Sequence, residues 1–426
     1  MEIRDPIHGS IALSPVEVSI CDSLEYQRLR AIKQLGFSEF SFPGATHNRF
    51  LHSVGVTHLA GHAFDTIFKN YPFKDFKTKN SLRQCVKLAA LLHDIGHGPL
   101  SHTTEEVMPL LSELNIKIYK DQNRVNDRQA NHEDYTIAFV TESEITNIIN
   151  AHGEFEPLHV AALVDSKIVL KDDFFKVDGV DFRPILSQLV SSELDVDRMD
   201  YLLRDAYFCG TNYGNIELSW LVANLTYTQV KDKLHLALNR RALYTFDDFL
   251  LSRHHMHLMV YFHHKAIIYE EILNRYLKSD NCTFKLPASL KQYIKCTDYS
   301  LYEHLNDAQD INIWAKRIAT RTPYKVLFET HSDDASEKTA SIKLKLEKED
   351  IDYIYVSSEA RLSKYHGATP QDQAFNIYVV DHYDKSIVPT RIQDTTEIFS
   401  RYEKMRMIER IYVAPEQKGV ASNLIK

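Results

Sequence analysis

Apolar residues along most of this chain recur every three or four positions, the spacing of helices that bury one face. Ser14-Pro15 puts an N-cap residue before a proline at the first helical position, and the run through Leu24, Leu29, Ile32 and Leu35 closes at Gly36. That pattern predicts a helix pair ending at Gly36. After the loop Phe42-Pro43-Gly44-Ala45, helices are predicted over about 48–71 and 81–94, the second stopped by Gly96, Gly98 and Pro99. Others follow at about 132–150, 156–168, 184–206 and 241–278, with a hairpin at 224–228 and 233–238. The polar stretch 115–131 has no apolar period and reads either as a lid or as an idle surface loop. Beyond about 285 the texture changes, and 325–328, 353–356 and 375–380 read as strands among charged helical pieces. The expected fold is mainly α: a helical bundle over 1–285, then a smaller α+β region over 286–426 with a regulatory or oligomerisation role.

Composition narrows this only slightly. Thirteen Gly and 13 Pro in 426 residues favour helices over tight turns, and 44% hydrophobic with 25% charged residues is ordinary for a soluble chain. A net charge of −8 disfavours nucleic acid as a partner, so an anionic ligand needs a locally basic pocket. Cys21, Cys85, Cys209, Cys282 and Cys296 are odd in number and lack a C-x-x-C spacing, so they read as small buried hydrophobes in a reducing compartment. The first residues do not read as a signal peptide and no apolar run has the length of a membrane span. The expected location is cytoplasmic, with no membrane partner.

The pair His93-Asp94 departs from the helical background, because it ends the run Leu88-Ala89-Ala90-Leu91-Leu92 where another Leu or Ala is expected. A buried imidazole beside a buried carboxylate is costly unless something pairs with both, as a cation does. His52 and Asp197 supply two more ligands at long separation. The mixed N/O set suits Mn, Fe, Co, Ni or Zn, with Mg a candidate at substrate phosphates. His97 follows Asp94 by three residues, His102 and Glu105 repeat that spacing, and His132-Glu133 pairs again. An imidazole oriented by a carboxylate serves general acid–base catalysis, although each histidine also reads as a hydrogen-bonded structural residue. Asp197, Tyr201 and Asp205 share one helix face with Arg198 and Arg204 beside it, which suits a ligand with phosphates, a sugar and a base, or else is a solvated charged face. Arg49 is a second phosphate clamp, and the chemistry implied is hydrolysis of a phosphate ester.

Five blocks carry a resemblance: Asp5-Pro6-Ile7-His8-Gly9, Tyr26 to Gly36, Phe42 to Ser53, Leu92 to His102, and Asp195 to Tyr201. Over about its first 265 residues the chain resembles the HD-domain phosphohydrolases, and within them the deoxynucleoside triphosphate triphosphohydrolases. The resemblance implies metal ligation by His52, His93, Asp94 and Asp197. It puts His97, His102 and His132 at the phosphates and leaving group, with Glu105 where the family usually has Asp. It gives Gln34 a sugar contact, Arg49 and Arg198 phosphate contacts, and makes Tyr201 and Asp205 the wall against a ribose 2′-hydroxyl. A base-side aromatic falls at Tyr261 or Phe262. Asp22, Gln27 and Arg30 match positions that bind an activating guanine nucleotide in a human member, whereas Arg4 departs from that site.

The activity so implied is cleavage of a dNTP to a deoxynucleoside and inorganic triphosphate, by a homo-oligomer (dimer or tetramer) with a dNTP or GTP activator. Two readings compete: an HD hydrolase of a signalling nucleotide or nucleoside monophosphate, and a nucleotide sensor without turnover. The blocks around Gln34 and Tyr201 argue against the first, and the intact ligand set with His102 argues against the second.

Overall fold

A computed structural model describes residues 1–332, 336–360, 377–384, 386–398 and 406–426. The chain opens with a hairpin, β1 (Glu2–Asp5) and β2 (Gly9–Ala12), that sets Asp5 opposite Gly9. Helix α1 (Pro15–Cys21) follows, with the Glu17 carboxylate accepting the Ser14 N–H at 2.9 Å. The expected pair ending at Gly36 is not formed. After Cys21 there are only single turns, Leu24–Gln27 and Arg28–Ala31, and Gly36 opens a 3₁₀ turn with φ of +48°.

Helix α2 (Arg49–Ile67) starts where the Asn48 side chain accepts the Leu51 N–H at 3.1 Å. Apolar and small residues surround it, Phe50, Val54, Val56, Leu59, Ala60, Ala63 and Phe64 all being buried, so it is the central helix rather than a surface one. Against it pack α3 (Phe76–Leu92), capped by Asp75, and further on α7 (Val196–Cys209). The expected 132–150 helix is two, α4 (His132–Glu142) and a separate helix Glu144–His152, because Ser143 caps the second with its own side chain. Next come α5 (Pro157–Val164) and α6 (Arg183–Val190). The expected 184–206 helix is broken between α6 and α7, where the Asp195 carboxylate accepts N–H groups from Ser192 and Arg198 (both 2.8 Å) and starts α7 afresh. That break puts Asp197 in the first turn of α7.

A hairpin of β3 (Leu225–Val230) and β4 (Lys233–Asn239) forms as expected. The 241–278 stretch divides into α8 (Leu243–Met256), a π turn His257–Tyr261, and α9 (His264–Leu277). Buried side chains of α9, including Ile268, Ile272 and Tyr276, pack with Leu301 and Leu305 of α10 (Asp298–Ala308), so one apolar cluster spans the 285/286 position. The C-terminal sheet has strand β7 (Arg406–Val413) between β5 (Lys325–Ser332) and β6 (Tyr353–Ala360), all antiparallel, under helix α11 (Glu337–Lys348). Of the 375–380 strand, 375 and 376 lie outside the described residues. Tyr378–Val380 pairs in parallel with β4, joining the hairpin sheet rather than the C-terminal one. Among the described residues no helix is long and apolar enough to cross a membrane.

Two close approaches fix the site's frame. At Gly96 a Cβ would stand 2.0 Å from the His132 carbonyl oxygen, and at Gly55 it would stand 2.1 Å from Asp200 Oδ1. In the first case the turn after α3 lies directly on the start of α4. Gly96→Ala is therefore expected to destabilise the protein by roughly 1–3 kcal/mol, the usual cost of overpacking. Urea unfolding checks this, and unchanged stability would show that the two elements separate freely.

Candidate metal and nucleotide site

Helix α3 ends at Leu92, so His93 and Asp94 lie in the turn that Gly96 makes possible rather than on a continuing helix. They face His52 on the first turns of α2 and Asp197 on the first turn of α7. His52 Nε2 lies 2.9 Å from Asp197 Oδ1 and 3.6 Å from Asp94 Oδ2, and His93 Nε2 lies 3.4 Å from Asp94 Oδ1 and 3.6 Å from Asp197 Oδ1. Neither Nε2 makes a well-formed hydrogen bond there, although both are buried. Their Nδ1 atoms are committed elsewhere, His52 donating to Asp200 Oδ2 (2.8 Å) and His93 to the Ala90 carbonyl (2.7 Å). The two Nε2 atoms thus converge with two carboxylates, and each offers a lone pair once a cation displaces its proton. Burial pulls the His52 imidazole toward neutrality, but Asp197 and Asp200 outweigh it and hold its pKa up at about 10. Positive charge is favoured at this point, and the donor set fits a divalent cation.

Asp200 is the residue that sequence reasoning missed. It is fully buried and accepts from His52, from His8 Nε2 (2.6 Å), and from Arg204 through Nε (2.8 Å) and Nη2 (2.9 Å). Arg204 continues to Asp5 Oδ2 (2.8 Å), whose other oxygen accepts the N–H groups of Ile7 and His8. Arg204, expected beside the ligand-binding face, is instead buried behind the metal site. The signal was present in Asp5-Pro6-Ile7-His8-Gly9 and in the three-residue step from Asp197 to Asp200.

Three of the four candidate ligands, His93, Asp94 and Asp197, line a cavity of about 760 Å³, and His52 stands behind them. On its wall the rings of His97 and His132 stack with centroids 3.8 Å apart, and His102 stands edge-on to both. Glu105 Oε1 accepts from His102 Nδ1 (2.9 Å) and His132 Nδ1 (2.5 Å). His132 is therefore paired with Glu105 and not, as the sequence suggested, with its neighbour Glu133. Burial alone would raise the Glu105 carboxyl, yet the two histidines bring it down to about 2. Burial, with Arg49 and His132, holds the His97 imidazole well below its usual pKa, so it is neutral at pH 7. Arg49 pairs with Asp94 and donates to Ser101 Oγ (3.0 Å), and Arg198 pairs with Asp195 and the Ser192 carbonyl. Both guanidiniums line the cavity, with part of their charge already matched.

Further along the wall, Asp205 accepts from His47 Nε2 and Tyr261 Oη (both 2.8 Å), and the Tyr261 ring meets Tyr201 edge-on. Both Tyr261 and Phe262 line the cavity, but only Tyr261 is tied to Asp205. Gln34 also lines it, its Oε1 buried without a hydrogen-bond partner. Glu133 and three residues not singled out by sequence, His257, Glu270 and Asn274, complete part of the lining. No residue of 115–131 lines the cavity, and the stretch is not an idle surface loop either, since it forms a short helix, Lys117–Asp121, with Ile116, Tyr119 and Ala130 buried in the core. Asp22 and Arg30 are exposed and Gln27 half-buried, and none of the three lines the cavity. Gln27 Nε2 donates to the Cys21 carbonyl (2.6 Å) and its Oε1 accepts from Arg30 Nε (2.8 Å).

A family model described as HD domain matches residues 49–205, and one described as HD associated region matches 216–360. The chain thus carries an HD domain followed by its associated region. Relatives of this HD-domain chain include an uncharacterized protein of Bacillus subtilis, 30% identical over 64% of this chain and 54% of that one. The deoxynucleoside triphosphate triphosphohydrolase of Homo sapiens is 29% identical over 85% of this chain and 59% of its own length. The chain spans between half and three-fifths of the length of these relatives. A crystal structure of a hypothetical protein from Aquifex aeolicus, 26% identical, superposes over 100% of both chains with a TM-score of 0.76.

If Asp200 orients His52 for a cation, Asp200→Asn should lower divalent-metal affinity roughly 10–100-fold in a folded protein. His93→Ala should abolish stoichiometric binding. Metal titration followed by elemental analysis checks both, and wild-type affinity in Asp200→Asn would contradict the orienting role.

Proposed function

We propose that this chain hydrolyses deoxynucleoside triphosphates to a deoxynucleoside and inorganic triphosphate. The observation that carries the reading is the convergence on one cavity of the His/Asp ligand set, the Glu105-linked histidines, two guanidiniums, and the Gln34–Asp205–Tyr201 wall. The human relative named for this activity supports it.

His52, His93, Asp94 and Asp197 would hold the metal. When bound, a divalent cation supplies Lewis-acid polarisation of phosphate oxygens and acidification of water. Arg49 and Arg198 hold the triphosphate by charge-assisted hydrogen bonds. With its Nδ1–H held by anionic Glu105, protonated His102 presents Nε2–H to the cavity and delivers that proton to the sugar 5′-oxygen as water attacks the α-phosphorus and the P–O5′ bond breaks. His97 and His132, stacked behind it, limit the ring to one orientation. A remaining lone pair of Asp205 accepts the sugar 3′-hydroxyl, since a carboxylate offers about four acceptor positions and His47 with Tyr261 uses two, and the Gln34 amide turns its NH2 to the same hydroxyl oxygen. The Tyr201 ring packs at the sugar 2′ carbon, where an added hydroxyl would meet an apolar face.

Metal-supplemented protein incubated with each dNTP and NTP, with products resolved by chromatography, tests the proposal. Inorganic triphosphate and a deoxynucleoside are expected together from the first turnover, and diphosphate or a nucleoside monophosphate as first product would overturn it. His102→Ala should retain metal and lose roughly 10²–10⁴-fold in kcat, the range for a positioned acid or base. A raised KM with kcat untouched would make His102 a binding residue instead. Tyr201→Ala should relax the preference for dATP over ATP, worth on the order of 10²–10³-fold in kcat/KM, without loss of metal. Equal hydrolysis of ATP and dATP by the unaltered enzyme would remove the wall from the account.

A further inference from the structure

The segment after α9 returns to the back of the site. Tyr135 Oη donates to the Pro287 carbonyl and Tyr293 Oη to the Gly96 carbonyl, each at 2.8 Å. Arg28 bridges the two segments, donating to the carbonyls of Ile95 (2.6 Å) and Cys296 (3.3 Å). The segment ends at Asp298, the first residue of α10, which is 2% exposed. Its Oδ1 accepts the Leu100 N–H at 2.7 Å and its Oδ2 accepts the Lys33 N–H at 2.9 Å.

Those two N–H groups stand two residues before His102 and one before Gln34. Leu100 and Ser101 both have left-handed backbone, with φ of 52° and 59°, a conformation that side chains other than Gly, Asn and Asp seldom adopt. Consecutive residues in that region cost free energy and persist only where their surroundings impose them. Part of the restraint comes from Ser101, whose Oγ donates to the Lys33 carbonyl (3.1 Å) and accepts from Arg49 Nε. The rest is Asp298. The two donors, from two separate loops, reach different oxygens of one rigid group, and an amide in its place would set an NH2 against one of those N–H groups. Burial pushes the Asp298 carboxyl up to about 6, against the two N–H bonds and the charges of Lys33 and Arg49, so at neutral pH both oxygens accept.

We propose that Asp298 is a positioning residue for the reaction, fixing the His102 loop against the Gln34 segment so that a residue beyond the HD-domain match at 49–205 completes the site. The proposal rests on the roles given to His102 and Gln34 above. Asp298 does not reach the cavity and acts only through the two backbone N–H groups.

The test compares Asp298→Asn and Asp298→Glu with the unaltered full chain. Metal content, kcat and KM with dATP, and amide hydrogen exchange of peptides covering 97–107 and α2 are measured. In Asp298→Asn, kcat should fall about 10–100-fold, the effect of misplacing a reacting group by about 1 Å. KM and metal content should hold, and exchange should quicken in 97–107 but not in α2. Asp298→Glu, which keeps two acceptor oxygens, should recover part of both losses. Wild-type kcat and loop exchange in Asp298→Asn would overturn the proposal. So would faster exchange throughout the molecule in both variants, which marks a merely structural residue. If the unaltered protein cleaves no dNTP, the functional reading fails by itself, and selective exchange at 97–107 still decides the role of Asp298.

Discussion

Asp200 is a carboxylate removed entirely from water, and such a group persists only where charge and hydrogen bonds replace its hydration. Burial raises its pKa, but Arg204, His52 and His8 together hold it well below the usual carboxylate range. The requirement ties three parts of the chain to one point: the N-terminal hairpin through Asp5 and His8, α2 through His52, and α7 through Arg204 and Asp200 itself. Gly55 is the counterpart of this constraint on α2, since any larger residue would occupy the space of Asp200 and Arg204. The candidate metal ligand His52 takes its orientation from that network. His52 can offer Nε2 to a cation because Asp200 has taken its Nδ1.

The reacting side of the cavity follows the same logic at lower burial. Glu105 serves two imidazoles with one oxygen, which leaves His102 fixed at Nδ1 and open at Nε2. The backbone that brings His102 there is strained at Leu100 and Ser101 and anchored from α10. One face of the site is thus braced by the N-terminal hairpin and the other by a segment that starts beyond residue 285.

Much of this was legible in the sequence because the chemistry interrupts an apolar pattern. His93-Asp94 at the end of a Leu/Ala run, His52 on the central helix and Asp197 at a helix start all come together, and the histidine cluster with Glu105 forms. The sequence misleads where a buried polar group imitates a surface one. Arg204 reads as a solvated charge until Asp5 and Asp200 are placed around it. The central strand β7 escaped notice because Glu409 and Arg410 break its apolar run, yet both are buried. Glu409 is held by Tyr355 Oη, Thr339 Oγ1 and the Ser336 N–H, and Arg410 by Glu329. Helix ends were misjudged where a single side chain restarts the chain, as Ser143 and Asp195 do. Asp298 carried no local signal at all, since its partners lie 198 and 265 residues away.

The central claim is that the buried imidazole and carboxylate pairs form a resident divalent-metal site whose geometry Asp200 sets. X-ray absorption spectroscopy of the manganese- or iron-loaded full chain tests it directly. The account predicts a stoichiometric ion with two imidazole nitrogens from His52 and His93 in a shell otherwise of oxygen, and loss of one imidazole contribution in His52→Ala. An ion bound by oxygen alone, or an imidazole signal unchanged by His52→Ala, would contradict it.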